Sequence, residues 1–156
     1  MRRFSLIALL GLLLALTSAP GAGATNYFGS GDGVKVAFRV KGREVTKASV
    51  VARLYCEGPH GGRHFERFER NYASPDQPFL LDRRGGFRWD ATGGPQEEAF
   101  TLEYFLSGRV GGGVVKGRYE YFRSGGNHPT CQTGSFFRSF GERAVRYVAR
   151  RQVVGS

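Results

Sequence analysis

Five side chains in this 156-residue sequence are of the types that build metal or thiol chemistry: Cys56, Cys131, His60, His64 and His128. Cys56, His60 and His64 follow one another at intervals of four, and His128 precedes Cys131 by three. If the two sulfurs meet in space, these histidines complete a tetrahedral Cys2His2 zinc set, and three ligands with an open position would support zinc-dependent hydrolysis. The same cysteines also suit a disulfide staple or a free nucleophilic thiol. The paired Cys-x-x-Cys knuckles of structural zinc sites are missing, and His60 sits in the glycine-rich loop "GPHGGRH".

Other catalytic constellations are thin. Glu66 and Glu69 in "FERFER" would share a face only if that segment were helical, and glycosidase carboxylates come from separate elements across a cleft. Glu97 and Glu98 are adjacent and diverge. "GSGDG" at 29–33 shows no preceding strand of the kind a nucleophile elbow needs, and no phosphate-cradling loop ends in Lys-Ser/Thr. No catalytic residue is assigned and no cofactor is expected. The balance leans away from an enzyme, toward a binding or structural domain, with a zinc-dependent extracellular hydrolase or a small-ligand-binding barrel as the alternatives.

The meaning of the cysteines depends on compartment. The chain opens "MRRFSLIALLGLLLALTSAPGAGA", with a basic pair, an apolar run from Leu6 to Leu16 and a small-residue close. That is the layout of a signal peptide over residues 1–24, cleaved before Thr25. Eleven residues make about 16 Å of helix, too little for a hydrocarbon core of roughly 30 Å. The expected product is a secreted, extracellular domain over 25–156, without a membrane span and monomeric. In an oxidising compartment two cysteines are most simply a disulfide. Val50, Ala52, Leu54 and Cys56 alternate with Val51, Arg53 and Tyr55, so Cys56 shares the buried face of a strand. The Cys56–Cys131 staple is therefore preferred to zinc.

The net charge is +10, or +8 once Arg2 and Arg3 are removed, and nineteen of the 23 basic residues are arginine. Such a charge favours anionic partners such as cell-wall or other extracellular polyanions; no specific nucleic acid is implied. The tail 140–156 reads as a helix or an edge strand, with Arg143, Arg146 and Arg150 on one side of a helix and Arg151 beside them. These four are the candidate polyanion contacts.

Strands must position all of these groups. "VKVAFRVK" alternates strictly, Lys41-Gly42 suits a hairpin turn, and the phase break between Val45 and Ala48 asks for a bulge near Thr46-Lys47. "RHFERFERNY" is open between a helix turn and a bulged strand. "GGFRWDA", "AFTLEYFL", "VVKGRYEYF" and "CQTGSFFRSF" read as further strands, the middle two joined through Gly111-Gly112-Gly113. Tyr121-Phe122 and Phe136-Phe137 put a ring on each face of their strands, so one of each pair is exposed unless the second face is covered. Short strands between Gly/Pro-rich turns predict an all-β domain, an antiparallel β-sandwich or small barrel with a short basic C-terminal tail.

The succession "VKVAFRVKGREV", "ARLYC", "GGFRW", "VVKGRYEYF" and "CQTGSFFRSF", covering most of Val34 to Phe140, resembles a group of exported, arginine-rich, single-disulfide β-domains common in actinobacteria. The resemblance implies a stapled β-domain outside the membrane and carries no activity, cofactor or catalytic residue. The chain after Phe140 departs from that pattern.

Overall fold

The computed structural model describes residues 23–93, 100–125, 127–134 and 143–153. Of the signal-peptide expectation, residues 1–22 lie outside them. Ten antiparallel strands account for most of the rest, and no helix occurs among the described residues.

The first hairpin joins β1 (Thr25–Gly31) to β2 (Val34–Lys41). Its two turn residues, Asp32 and Gly33, have φ of 40° and 81°, the left-handed pair that a two-residue hairpin turn requires. A strand thus does precede the "GSGDG" turn, and a strand rather than a helix follows it. β3 (Glu44–Glu57) pairs with β2 from Lys41↔Glu44 onward, leaving Gly42 and Arg43 as the turn, one residue later than the sequence suggests. The expected bulge is present: Arg39 faces Lys47 while Val40 faces Val45, so Thr46 is the extra residue. Its Oγ1 donates to the Arg39 carbonyl over 3.4 Å. The bulge restores phase, and both Val45 and Ala48 reach the core.

"RHFERFERNY" is a strand, β4 (Arg63–Ala73), laid antiparallel along β3. Side chains three apart on a strand point to opposite faces, so Glu66 and Glu69 cannot act together. β5 (Phe79–Leu80) pairs briefly with the start of β3. β6 (Gly86–Gly93), β7 (Phe100–Gly111) and β8 (Val114–Gly125) form a meander, β7 and β8 turning through Gly112 and Gly113. β9 (Thr130–Gln132) is short, and β10 (Val145–Arg151) is the last strand among the described residues.

Six of these strands close a ring, β1-β2-β3-β9-β8-β10, with β10 pairing back to β1. The expected choice of sandwich or barrel resolves to a small barrel, with β4 and β5 attached to β3, and β7 and β6 continuing beyond β8. The tail is neither a helix nor an edge strand: Val145, Tyr147 and Ala149 point inward, and β10 bonds to a neighbour on each side. Its apolar alternation drives this, since a barrel leaves no edge at the closing strand.

Aromatic rings fill the interior. Phe38 lies 5.5 Å from Phe87 and 5.6 Å from Tyr147, centroid to centroid. Tyr147 Oη donates to the Ser107 carbonyl over 2.7 Å. Gly108 and Gly117 make room for the Tyr147 phenol; a Cβ on Gly108 would meet its Oη at 2.9 Å. Where β4 faces β7 and β8, Tyr72, Tyr104, Tyr119 and Tyr121 pack together with Phe68 and Trp89. The Tyr72 and Tyr119 hydroxyls share a 2.7 Å hydrogen bond.

Candidate functional site

Cys56 on β3 and Cys131 on β9 are direct cross-strand partners, Cα atoms 4.1 Å apart, and form a disulfide. Both are fully buried. Arg123 Nη2 donates to Cys131 Sγ over 3.2 Å and lies 3.4 Å from Glu66 Oε2. On the neighbouring strand His64 stands opposite Cys56, with its Nε2 3.1 Å from Glu66 Oε1. Cys56, His64 and Glu66 are the one cluster of three metal-ligating types among the described residues, and the disulfide occupies its sulfur. His60 in the β3–β4 loop and His128 after β8 are exposed and, among the described residues, belong to no such cluster. The structure therefore does not bring the three histidines together as one ligand set.

The four candidate arginines separate. Arg143 is 5% exposed, and its guanidinium lies 3.3 Å from Glu120 and 3.2 Å from Glu103. It also covers the Phe122 ring at 3.9 Å. Arg143 thus ties down the second face of β7 and β8 and offers nothing to a polyanion. The same contact answers the Tyr121-Phe122 question: Tyr121 is in the core and Phe122 is half-buried beneath Arg143. Phe136-Phe137 lie outside the described residues. Arg146, Arg150 and Arg151 are exposed on β10.

Pairing of β10 with β8 gathers cations that the sequence leaves apart. Arg146 stands opposite Arg118, and one strand further Arg109 stands opposite Lys116. Arg150 stands opposite Val114 on one side and Phe28 on the other, and the Phe28 ring is 53% exposed. Cross-strand partners hold their Cβ atoms about 4.5–5.5 Å apart, where like charges destabilise a sheet. No ion pair joins Lys116, Arg118, Arg146 or Arg150 to a carboxylate among the described residues. Arg109, at the rim, feels Asp82, whose carboxyl is held below its usual range chiefly by the Gly86 and Arg84 backbone N–H groups. The signal for this face was present as the outward set of "VVKGR" and "AVRYVAR"; it needed the tail to be read as a strand beside β8.

A second feature lies at the start of β2. β2 starts at Val34 opposite Ala52, while β3 and β4 run on past it, so the outer surface steps down beside Arg53. A groove of about 440 Å³ occupies the step, lined in part by Lys35, Val51, Arg53, Phe65 and Arg67 and also by Glu66, whose carboxylate is engaged by His64 and Arg123. Phe65 is 55% exposed. Arg53 lies over its ring at 4.7 Å, and Tyr55 meets it edge-on at 4.5 Å. Arg67 is engaged by Glu69 at 3.2 Å, whereas Lys35 and Arg53 have no carboxylate partner among the described residues.

In comparisons with known proteins, no family model, no curated protein and no solved structure matches this chain.

Proposed function

We propose that this protein is a secreted, non-enzymatic binding module that holds anionic extracellular polymers against the outer face of β7, β8 and β10. One observation carries the reading: Arg118 opposite Arg146, beside Arg109 opposite Lys116, on a face where four of the five cations counting Arg150 have no carboxylate partner among the described residues. Such pairing is unfavourable for the sheet itself. A polyanion laid across it relieves the repulsion by supplying the missing counter-charge. The apolar leader of the sequence and the buried Cys56–Cys131 disulfide support export.

Titrating the protein into polyuronate and into polyphosphate at rising salt tests this. Affinity is expected to fall steeply with ionic strength, and to weaken several-fold in Arg118→Gln/Arg146→Gln. Binding that ignores salt, or that is as tight to neutral dextran, would overturn it.

A further inference from the structure

We propose, resting on the reading above, that the groove beside Phe65 is a saccharide subsite that takes a uronic acid unit, which makes acidic polysaccharide the polymer class this module prefers. A half-exposed aromatic ring offers the CH-rich side of a pyranose a stacking surface, and flanking cations fix a carboxylate. Both parts are present within one groove of about 440 Å³. Phe65 is propped edge-on by Tyr55, and Arg53 and Lys35 stand beside it without carboxylate partners among the described residues. The step in the sheet holds these groups on strands, since the Arg53 N–H donates to the Gly33 carbonyl over 2.9 Å.

The groove and the cationic face lie on one path. Lys116 on β8 is opposite Val148 on β10, which is opposite Ser30 on β1, then Lys35 on β2, then Val51 on β3. Lys116 and Lys35 are three strand spacings apart, about 14 Å along the surface. An oligomer seated at Phe65 therefore reaches the Arg118/Arg146 face. Single-stranded nucleic acid is the less favoured occupant, because it is held by a succession of stacking platforms. Among the described residues the other exposed ring on this side, Phe28, lies in a different cross-strand row, beside Arg150 and Ala37.

Calorimetry with hexagalacturonate, linear polyphosphate and oligothymidylate tests the assignment on the full secreted chain. Phe65→Ala is expected to weaken hexagalacturonate binding about tenfold, the scale of one lost stacking contact, and to leave polyphosphate binding unchanged. Phe65→Leu, which keeps the apolar bulk without the ring, should behave the same way and guards against a folding effect. Arg53→Gln should weaken hexagalacturonate several-fold. Equal loss for polyphosphate, or no loss for hexagalacturonate, would overturn the subsite while the cationic face stands. Tighter, Phe65-dependent binding of oligothymidylate would assign the ring to nucleobases and also overturn it. Failure of all three ligands to bind would remove the broader function instead.

Discussion

Arg118 on β8 and Arg146 on β10 are direct cross-strand partners, both exposed, with no carboxylate between them among the described residues. The pair separates stability from function. Arg146→Gln removes a repulsion, so it should stabilise the fold by roughly 0.2–1 kcal/mol while weakening polyanion binding. Thermal melts at low and high salt check this. Added salt should raise the melting point of the wild type more than that of the variant, because screening does the same work as the substitution. A variant less stable than the wild type would show that Arg146 holds the barrel together.

The staple should matter most for β9. This three-residue strand is the link through which β3 and β8 complete the ring, and Cys131 is its centre. The bond closes a separation of 75 residues. Chain entropy alone assigns such a loop on the order of 4 kcal/mol. Cys56→Ala/Cys131→Ala should lose about that much in denaturant unfolding. A loss below about 1 kcal/mol would mean that pairing and packing hold β9 without it.

Arg143 has the opposite character to Arg146, three residues away. Glu120 is 1% exposed beneath it, so Arg143→Met leaves a buried carboxylate without this counter-charge. Breaking one partner of a buried pair costs about 3–5 kcal/mol. Arg143→Met should therefore lower the unfolding free energy by about that amount and leave the salt dependence of polyanion binding unchanged. Glu120→Leu in the same chain should recover part of the loss. A change in ligand affinity without a change in stability would restore Arg143 to the binding surface.

The contrast between these two arginines shows what could be read from sequence. Strict alternation in "VKVAFRVK" and the phase break at Thr46 were legible because each depends only on near neighbours. The same holds for Cys56 pointing inward, which set up the disulfide. The cationic face was not legible, since it exists only where β10 is seated beside β8, a long-range pairing that sets Arg146 opposite Arg118 and Val148 opposite Lys116. Helical spacing grouped Arg143 with Arg146 and Arg150, whereas the strand begins only at Val145 and leaves Arg143 outside it, over Phe122. Phe65 was hidden differently: three-residue spacing to Phe68 suits a helix, and only the β3–β4 register turns the first outward and the second inward.

The tyrosine cluster makes alkaline pH the condition under which the fold should fail. Burial pushes the phenols of Tyr72, Tyr119 and Tyr147 far above their ordinary range, and raises Tyr121 as well. In the unfolded chain these groups ionise near pH 10. Above that pH the unfolded state therefore holds fewer protons than the folded one, and stability must fall as pH rises. Below about pH 9 both states keep the protons and the contribution is complete. Each tyrosine that stays neutral in the fold adds a slope of about 1.4 kcal/mol per pH unit above pH 10. Denaturant unfolding from pH 8 to 11, followed together with phenolate absorbance, should show flat stability and then a steep decline in which ionisation and unfolding coincide. Tyr72→Phe should make the decline shallower, because it removes one of the phenols that must stay protonated. Phenolate appearing while the protein remains folded would show instead that the cluster is open to hydroxide and that its burial does not hold β4 against β7 and β8.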